Sequence, residues 1–126
     1  MKRSGSPCIG SGADAVHAVI RIEALPAAPL AAAARFYASD LPAIEGTFAA
    51  APASLVIVFP PLHLGHRGWI REVVATLARA HAPVRVNGVL AGLAATTPAI
   101  IAWLETAPGV TGQLFVADGQ SGESAS

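Results

Sequence analysis

Between Pro52 and the Pro60-Pro61 pair the chain contains the run Leu55-Val56-Ile57-Val58-Phe59, apolar throughout and mostly β-branched. A strand with one face in water alternates apolar and polar residues. A strand that does not alternate needs cover on both faces, as in a parallel sheet flanked by helices. This run therefore sets the fold class, and the other segments are read around it.

Val16 to Leu25 carries Val16, Val19, Ile20, Ile22 and Leu25 and reads as a strand ended by Pro26 and Pro29. Pro29 suits the first turn of a helix. Leu30 to about Ala50 is rich in Ala, with Leu30, Phe36, Leu41, Ile44 and Phe48 as larger apolar residues. It reads as a helix bent or interrupted at Pro42. Arg67 to His81 is the clearest helix: Trp69, Ile70, Val73, Val74, Leu77 and Ala78 recur at helical spacing, and Pro83 ends it. Val84 to Leu90 reads as a strand. Thr97-Pro98 is a helix start, since Thr can cap and Pro suits the first position. A short helix from Pro98 to about Glu105 and a last strand from Gln113 to Asp118 follow. Residues 1–14, rich in Ser and Gly, read as a flexible arm and 120–126 as a disordered polar tail, leaving one domain over 15–119. Strands alternating with helices imply parallel pairing through right-handed crossovers.

The 126 residues are 53% hydrophobic and 13% charged, against a usual charged share of about 25%. That excludes a disordered chain and predicts more apolar surface than a small monomer buries, hence an oligomer. The formal net charge is +0 and no basic patch stands out, so no nucleic-acid partner is expected. A single cysteine, Cys8, fits a reducing cytoplasm. Lys2 and Arg3 are followed by Ser, Gly and Pro rather than an apolar core, which argues against a signal peptide. No apolar stretch of about 18 residues is free of Pro and charge, so no membrane span is expected.

Three segments carry a family resemblance. They are Val84-Arg85-Val86-Asn87-Gly88-Val89-Leu90-Ala91-Gly92, then Thr96-Thr97-Pro98, then Val110-Thr111-Gly112-Gln113-Leu114-Phe115-Val116-Ala117-Asp118-Gly119. Together they resemble the C-terminal half of a short-chain dehydrogenase/reductase, whose members carry a run like "IRVNAVAPG", a "TP" shortly after it and a closing "VTGQ…VDGG". The resemblance implies an α/β fold. The expected architecture is a partial Rossmann-like parallel sheet of about four strands with helices on its faces, lacking the N-terminal dinucleotide-binding half. The family's phosphate loop has the pattern Gly-x-x-x-Gly-x-Gly. Gly5, Gly10 and Gly12 come nearest to it, with a spacing one residue too long.

The chemistry of the family needs a Tyr and a Lys four residues apart, the Lys lowering the pKa of the Tyr, and a Ser to hold the carbonyl oxygen. The only Tyr here is Tyr37 and the only Lys is Lys2. Counting back from Asn87, the pair should fall near Pro61 and Gly65. Pro60-Pro61 stand where the Ser is expected. Asn87 is the only Asn, so the Asn of the family's preceding helix has no counterpart. No catalytic residue is therefore assigned. Thr96 matches the family Thr that touches the nicotinamide carboxamide and is the candidate cofactor contact, although Thr96-Thr97-Pro98 reads mainly as helix capping. Asp118-Gly119 reads as a strand end and turn.

His63 and His66 lie three apart with no Cys or carboxylate close in sequence, so loop histidines are the default and no metal is expected. A new enzymatic role would need one of them as a general base, with Asp40, Glu45 or Glu72 nearby. His81 sits favourably near a helix C-terminus. Family members assemble through a pair of long helices and through the last strand with its short helix. That makes Phe36, Phe48, Trp69, Val73, Leu77, Trp103 and Phe115 candidate interface residues, although the same side chains could simply cover the sheet. The sequence thus points to a non-catalytic relative without a cofactor. It would assemble with itself, as a homodimer or higher oligomer, or with a catalytic short-chain dehydrogenase. The alternative is a module that binds a small molecule or nucleotide at the C-terminal ends of the strands, near Thr96, His63 and His66.

Overall fold

The computed structural model describes residues 16–92 and 96–117. The expected arm over 1–14, with Gly5, Gly10 and Gly12, the Asp118-Gly119 turn and the tail over 120–126 lie outside the described residues. Four strands, β1 (His17–Arg21), β2 (Ser54–Phe59), β3 (Arg85–Leu90) and β4 (Leu114–Val116), form one sheet in the order β1-β2-β3-β4. All three pairings are parallel. The helices are α1 (Pro29–Arg35), α2 (Leu41–Thr47), α3 (Arg67–Ala80) and α4 (Thr96–Glu105). The α/β arrangement inferred from the sequence is thus the one observed.

β2 has all six residues buried, as its unbroken apolar run requires. Its alternate side chains serve two cores. Leu55, Ile57 and Phe59 pack with Phe36, Ile44, Ile70, Val73, Val74 and Leu77 beneath α1, α2 and α3. Val56 and Val58 pack with Val89, Ile101, Leu104 and Ala117 beneath α4. Each such side chain contributes about 1.5–3 kcal/mol by leaving water. The central strand therefore welds the two layers together.

The segment expected to bend at Pro42 does so one step earlier. A π-helical turn, Phe36–Asp40, joins α1 to α2, whose first turn contains Pro42. Proline has no N–H to return to the carbonyl four residues back, and its ring crowds that carbonyl. The wider turn takes up the mismatch. α2 tightens into a 3₁₀ turn, Phe48–Ala50, and ends on Ala51 at φ 51°, in the left-handed region.

β1 is shorter than the Val16–Leu25 expectation. Its last ladder bond is Ile22 N–H to Val58 O, and the chain then turns away towards Pro26. The last strand likewise shrinks to Leu114–Val116. Thr97 does not cap α4 from outside. It lies within the first turn, on the buried stripe it shares with Ile101 and Leu104, and its hydroxyl has no partner among the described residues.

Candidate functional site

The C-terminal ends of β2, β3 and β4 surround a pocket of about 210 Å³ lined by Pro61, Leu62, Leu64, Leu90, Ala91, Gly92, Val116 and Ala117. None of these side chains can donate, accept or transfer a proton. Thr96, the candidate cofactor contact, opens α4 but is not part of this lining.

The turn leading into α3 occupies the place where the family's Tyr and Lys were expected. Pro61 lies in the pocket wall. Gly65 lies in the 3₁₀ turn Leu64–His66, and a Cβ there would meet His63 Cε1 at 2.8 Å. The imidazole of His63 thus fills the space a side chain at position 65 would need.

The two imidazoles are tied down by bonds that fix their tautomers. Gly65 N–H donates to His63 Nδ1 at 3.1 Å, so the proton of a neutral His63 is on Nε2, which lies 3.2 Å from Ala27 O. Trp69 Nε1–H, which can only donate, reaches His66 Nδ1 at 3.2 Å. The Nε2–H of His66 then donates to the same Ala27 O at 2.9 Å. Both rings converge on one carbonyl and fasten the segment before α1 to the start of α3. His66 is fully buried. Every ring nitrogen of the two histidines thus has a hydrogen-bond partner. Of the carboxylates expected beside them, Glu45 bonds His81 at 2.8 Å and Glu72 accepts from Thr76 at 3.2 Å. Among the described residues no group of three or more His, Cys, Asp or Glu could hold a metal.

Asn87 does work that its motif match did not foretell. Buried on β3, it donates through Nδ2 to Val110 O at 3.0 Å and accepts the Gln113 N–H at 3.1 Å through Oδ1. Thr111 Oγ1 accepts the N–H of Val86 alongside, at 3.0 Å. Arg85 reaches Leu104 O and Ala107 O, at 3.0 and 2.9 Å, at the C-terminal end of α4. There a cation satisfies orphan carbonyls and complements the helix dipole. These side chains lash the α4–β4 return to β3. In the sequence Asn87 simply alternates with Val86 and Val89 as Arg85 does, so its burial left no separate signal.

The candidate interface residues divide. Phe36, Val73 and Leu77 are 0%, 3% and 3% exposed. They pack against their own sheet, the cover that the sequence left open beside a partner surface. The cause is the amphipathic stripe, which a sheet-covering helix and a partner-covering helix share. Trp69 and Phe48 are half-buried, Trp69 against Phe36 and Phe59 and Phe48 stacked on His81 at 3.6 Å. Trp103 is 51% exposed and stands edge-on to Phe115 at 5.8 Å.

Among the described residues no helix is long and apolar enough to cross a membrane. No curated protein and no solved structure matches the chain. A family model described as "short chain dehydrogenase-like protein" matches residues 20–117, which takes in all four helices, β2, β3, β4 and the end of β1. The chain belongs to the short chain dehydrogenase-like family.

Proposed function

We propose that this chain is a non-catalytic short chain dehydrogenase-like protein that acts in the cytoplasm through protein–protein assembly. It works as a homodimer or as an accessory subunit that stabilises a catalytic short-chain dehydrogenase. The observation that carries this reading is the turn after β2. Where the family's Tyr and Lys are expected there are Pro61 and Gly65, and the His63 ring takes up the space beside Gly65. A hydride or proton transfer at a carbonyl has no acid to complete it there. Meanwhile Val16, Val19 and Trp103 leave apolar surface in water, which favours association.

The test is the mass of the full chain in solution, by light scattering during size exclusion, alone and co-expressed with a catalytic short-chain dehydrogenase from the same genome. A homodimer or a mixed complex is expected. A chain that stays monomeric at high concentration and joins no dehydrogenase ends the proposal.

A second reading, small-molecule binding, is favoured by the apolar pocket over Leu62, Leu64, Leu90 and Val116. Its lining suits an uncharged apolar group better than a nucleotide, since no cation stands among the described residues that line it. A reproducible thermal shift with a medium-chain alcohol, and none with a nicotinamide dinucleotide, supports this reading.

A further inference from the structure

We propose that β1 is the surface through which two copies of this chain join. They would pair antiparallel about a twofold axis at Val19, so that one sheet runs through both copies. The proposal rests on the assembly reading above and assigns it a surface.

The hydrogen-bond ladder supplies the first argument. β1 is an edge strand whose only strand neighbour among the described residues is β2. Val16 O accepts the Ala53 N–H at 2.7 Å and Ile22 N–H donates to Val58 O at 2.8 Å. In a parallel pair alternate residues bond to the neighbour, so Val16, Ala18, Ile20 and Ile22 face β2. The N–H and C=O groups of His17, Val19 and Arg21 point the other way. An antiparallel pair exchanges both bonds between residues that both point outward. An axis at Val19 sets Val19 opposite Val19 of the second copy and His17 opposite Arg21 of the second copy. Every outward group of β1 is then used.

Side chains give the second argument. On the face beneath α1–α3, Ala18 and Ile20 are only partly buried against the core. The same axis sets Ala18 opposite Ile20 of the second copy, small against large. On the other face Val19, 36% exposed, meets its own mate. The centre of the joint is thus apolar on both faces, with cross-strand pairs of the kind that stabilise sheets.

Charge selects the direction. Two copies paired parallel and in register would set Arg21 beside Arg21 at about 5 Å. The antiparallel axis separates the two guanidinium-bearing positions by about 14 Å along the strands, more than the screening length of roughly 8–10 Å. The opposite edge is a poorer joint, because β4 has three residues and turns only Leu114 and Val116 outward.

The test uses the full chain. Val19→Pro removes an outward N–H and leaves the bonds from β1 to β2 untouched, the one situation in which a strand tolerates proline. Val19→Lys places a charge on the axis and serves if the proline variant does not fold. Val19→Cys in a Cys8→Ser background places two thiols across an antiparallel bonded pair, where Cα atoms lie about 5.5 Å apart, within disulfide reach. We expect twice the chain mass for the wild type and for Val19→Cys, with a covalent dimer on mild oxidation. We expect a folded monomer, judged by circular dichroism and light scattering, for Val19→Pro or Val19→Lys. If the wild type is dimeric, those variants stay dimeric and no crosslink forms, β1 is not the joint and assembly proceeds through another surface. A wild type that is monomeric alone also overturns the β1 joint. Co-expression with a dehydrogenase then decides the assembly reading separately.

Discussion

Beneath α1, α2 and α3 the sheet buries Phe36, Ile44, Leu55, Ile57, Phe59, Ile70, Val74 and Leu77 in one continuous cluster. Beneath α4 it buries Val56, Val58, Val89, Ile101, Leu104 and Ala117, and β1 on that face carries an exposed Val19 and an exposed Arg21. The first face is completed by the chain's own helices. Among the described residues the second is covered by one ten-residue helix. A chain can thus hold a stable half-fold on one side while leaving an unpaired backbone edge and apolar side chains on the other. The first face is where stability should reside and the second is where partners should act.

The largest effect should come from the first face. Phe36→Ala empties the centre of an aromatic cluster in which Phe59 and Trp69 lie 5.6 and 5.3 Å from its ring. Urea denaturation should show a loss of about 3–5 kcal/mol. A loss below 1 kcal/mol would mean that this face is not the seat of stability.

Next comes overpacking at the same interface. A Cβ on Gly88 would stand 2.9 Å from Val74 Cγ2 and 3.3 Å from Leu114 Cδ1. Gly88→Ala should cost about 1–3 kcal/mol. Adding Val74→Ala should recover part of that cost, because the nearest obstructing methyl is gone. Simple additivity of the two losses would rule out the close approach as the cause.

Asn87→Ala probes the second face. It leaves Val110 O and the Gln113 N–H without their side-chain partner, at about 1–3 kcal/mol for unsatisfied buried groups. The loss should be local as well as global. Amide exchange at Gly112 and Ala117, whose N–H groups bond Val86 O and Leu90 O, should accelerate more than exchange in β2. Equal acceleration throughout would make Asn87 a global rather than a local fastener.

How much of this was legible in the sequence follows the same division. The unbroken run of β2 and the helical stripe of α3 are local signals, strong because both faces of the strand and one face of the helix are buried by the chain itself. The identity of the covering body was not legible. Phe36, Val73 and Leu77 have the spacing of a buried stripe, and spacing alone does not say whether the cover is a sheet or a second subunit. The histidine latch was invisible for a different reason. It depends on Ala27 and Trp69 meeting His63 and His66 across 36–39 and 3 residues of sequence, and a backbone carbonyl leaves no mark in a sequence. Position 65 was readable only as an absence; the structure adds that a neighbouring imidazole stands in the space.

The smallest expected effect on stability falls at Trp103. Its ring is half in water and meets Phe115 edge-on at 5.8 Å, an arrangement worth about 0.5–1.5 kcal/mol beyond area burial. Trp103→Ala should therefore cost only about 1 kcal/mol in the monomer, well below Phe36→Ala, because much of the indole gives up no cover when removed. Its effect on association can be far larger than its effect on folding, since a half-exposed aromatic is the kind of residue that anchors an interface. Measuring both quantities on one variant separates the two roles. A small loss of stability with an unchanged mass confines the partner surface to the β1 edge. A small loss with a loss of association extends it to α4 and β4.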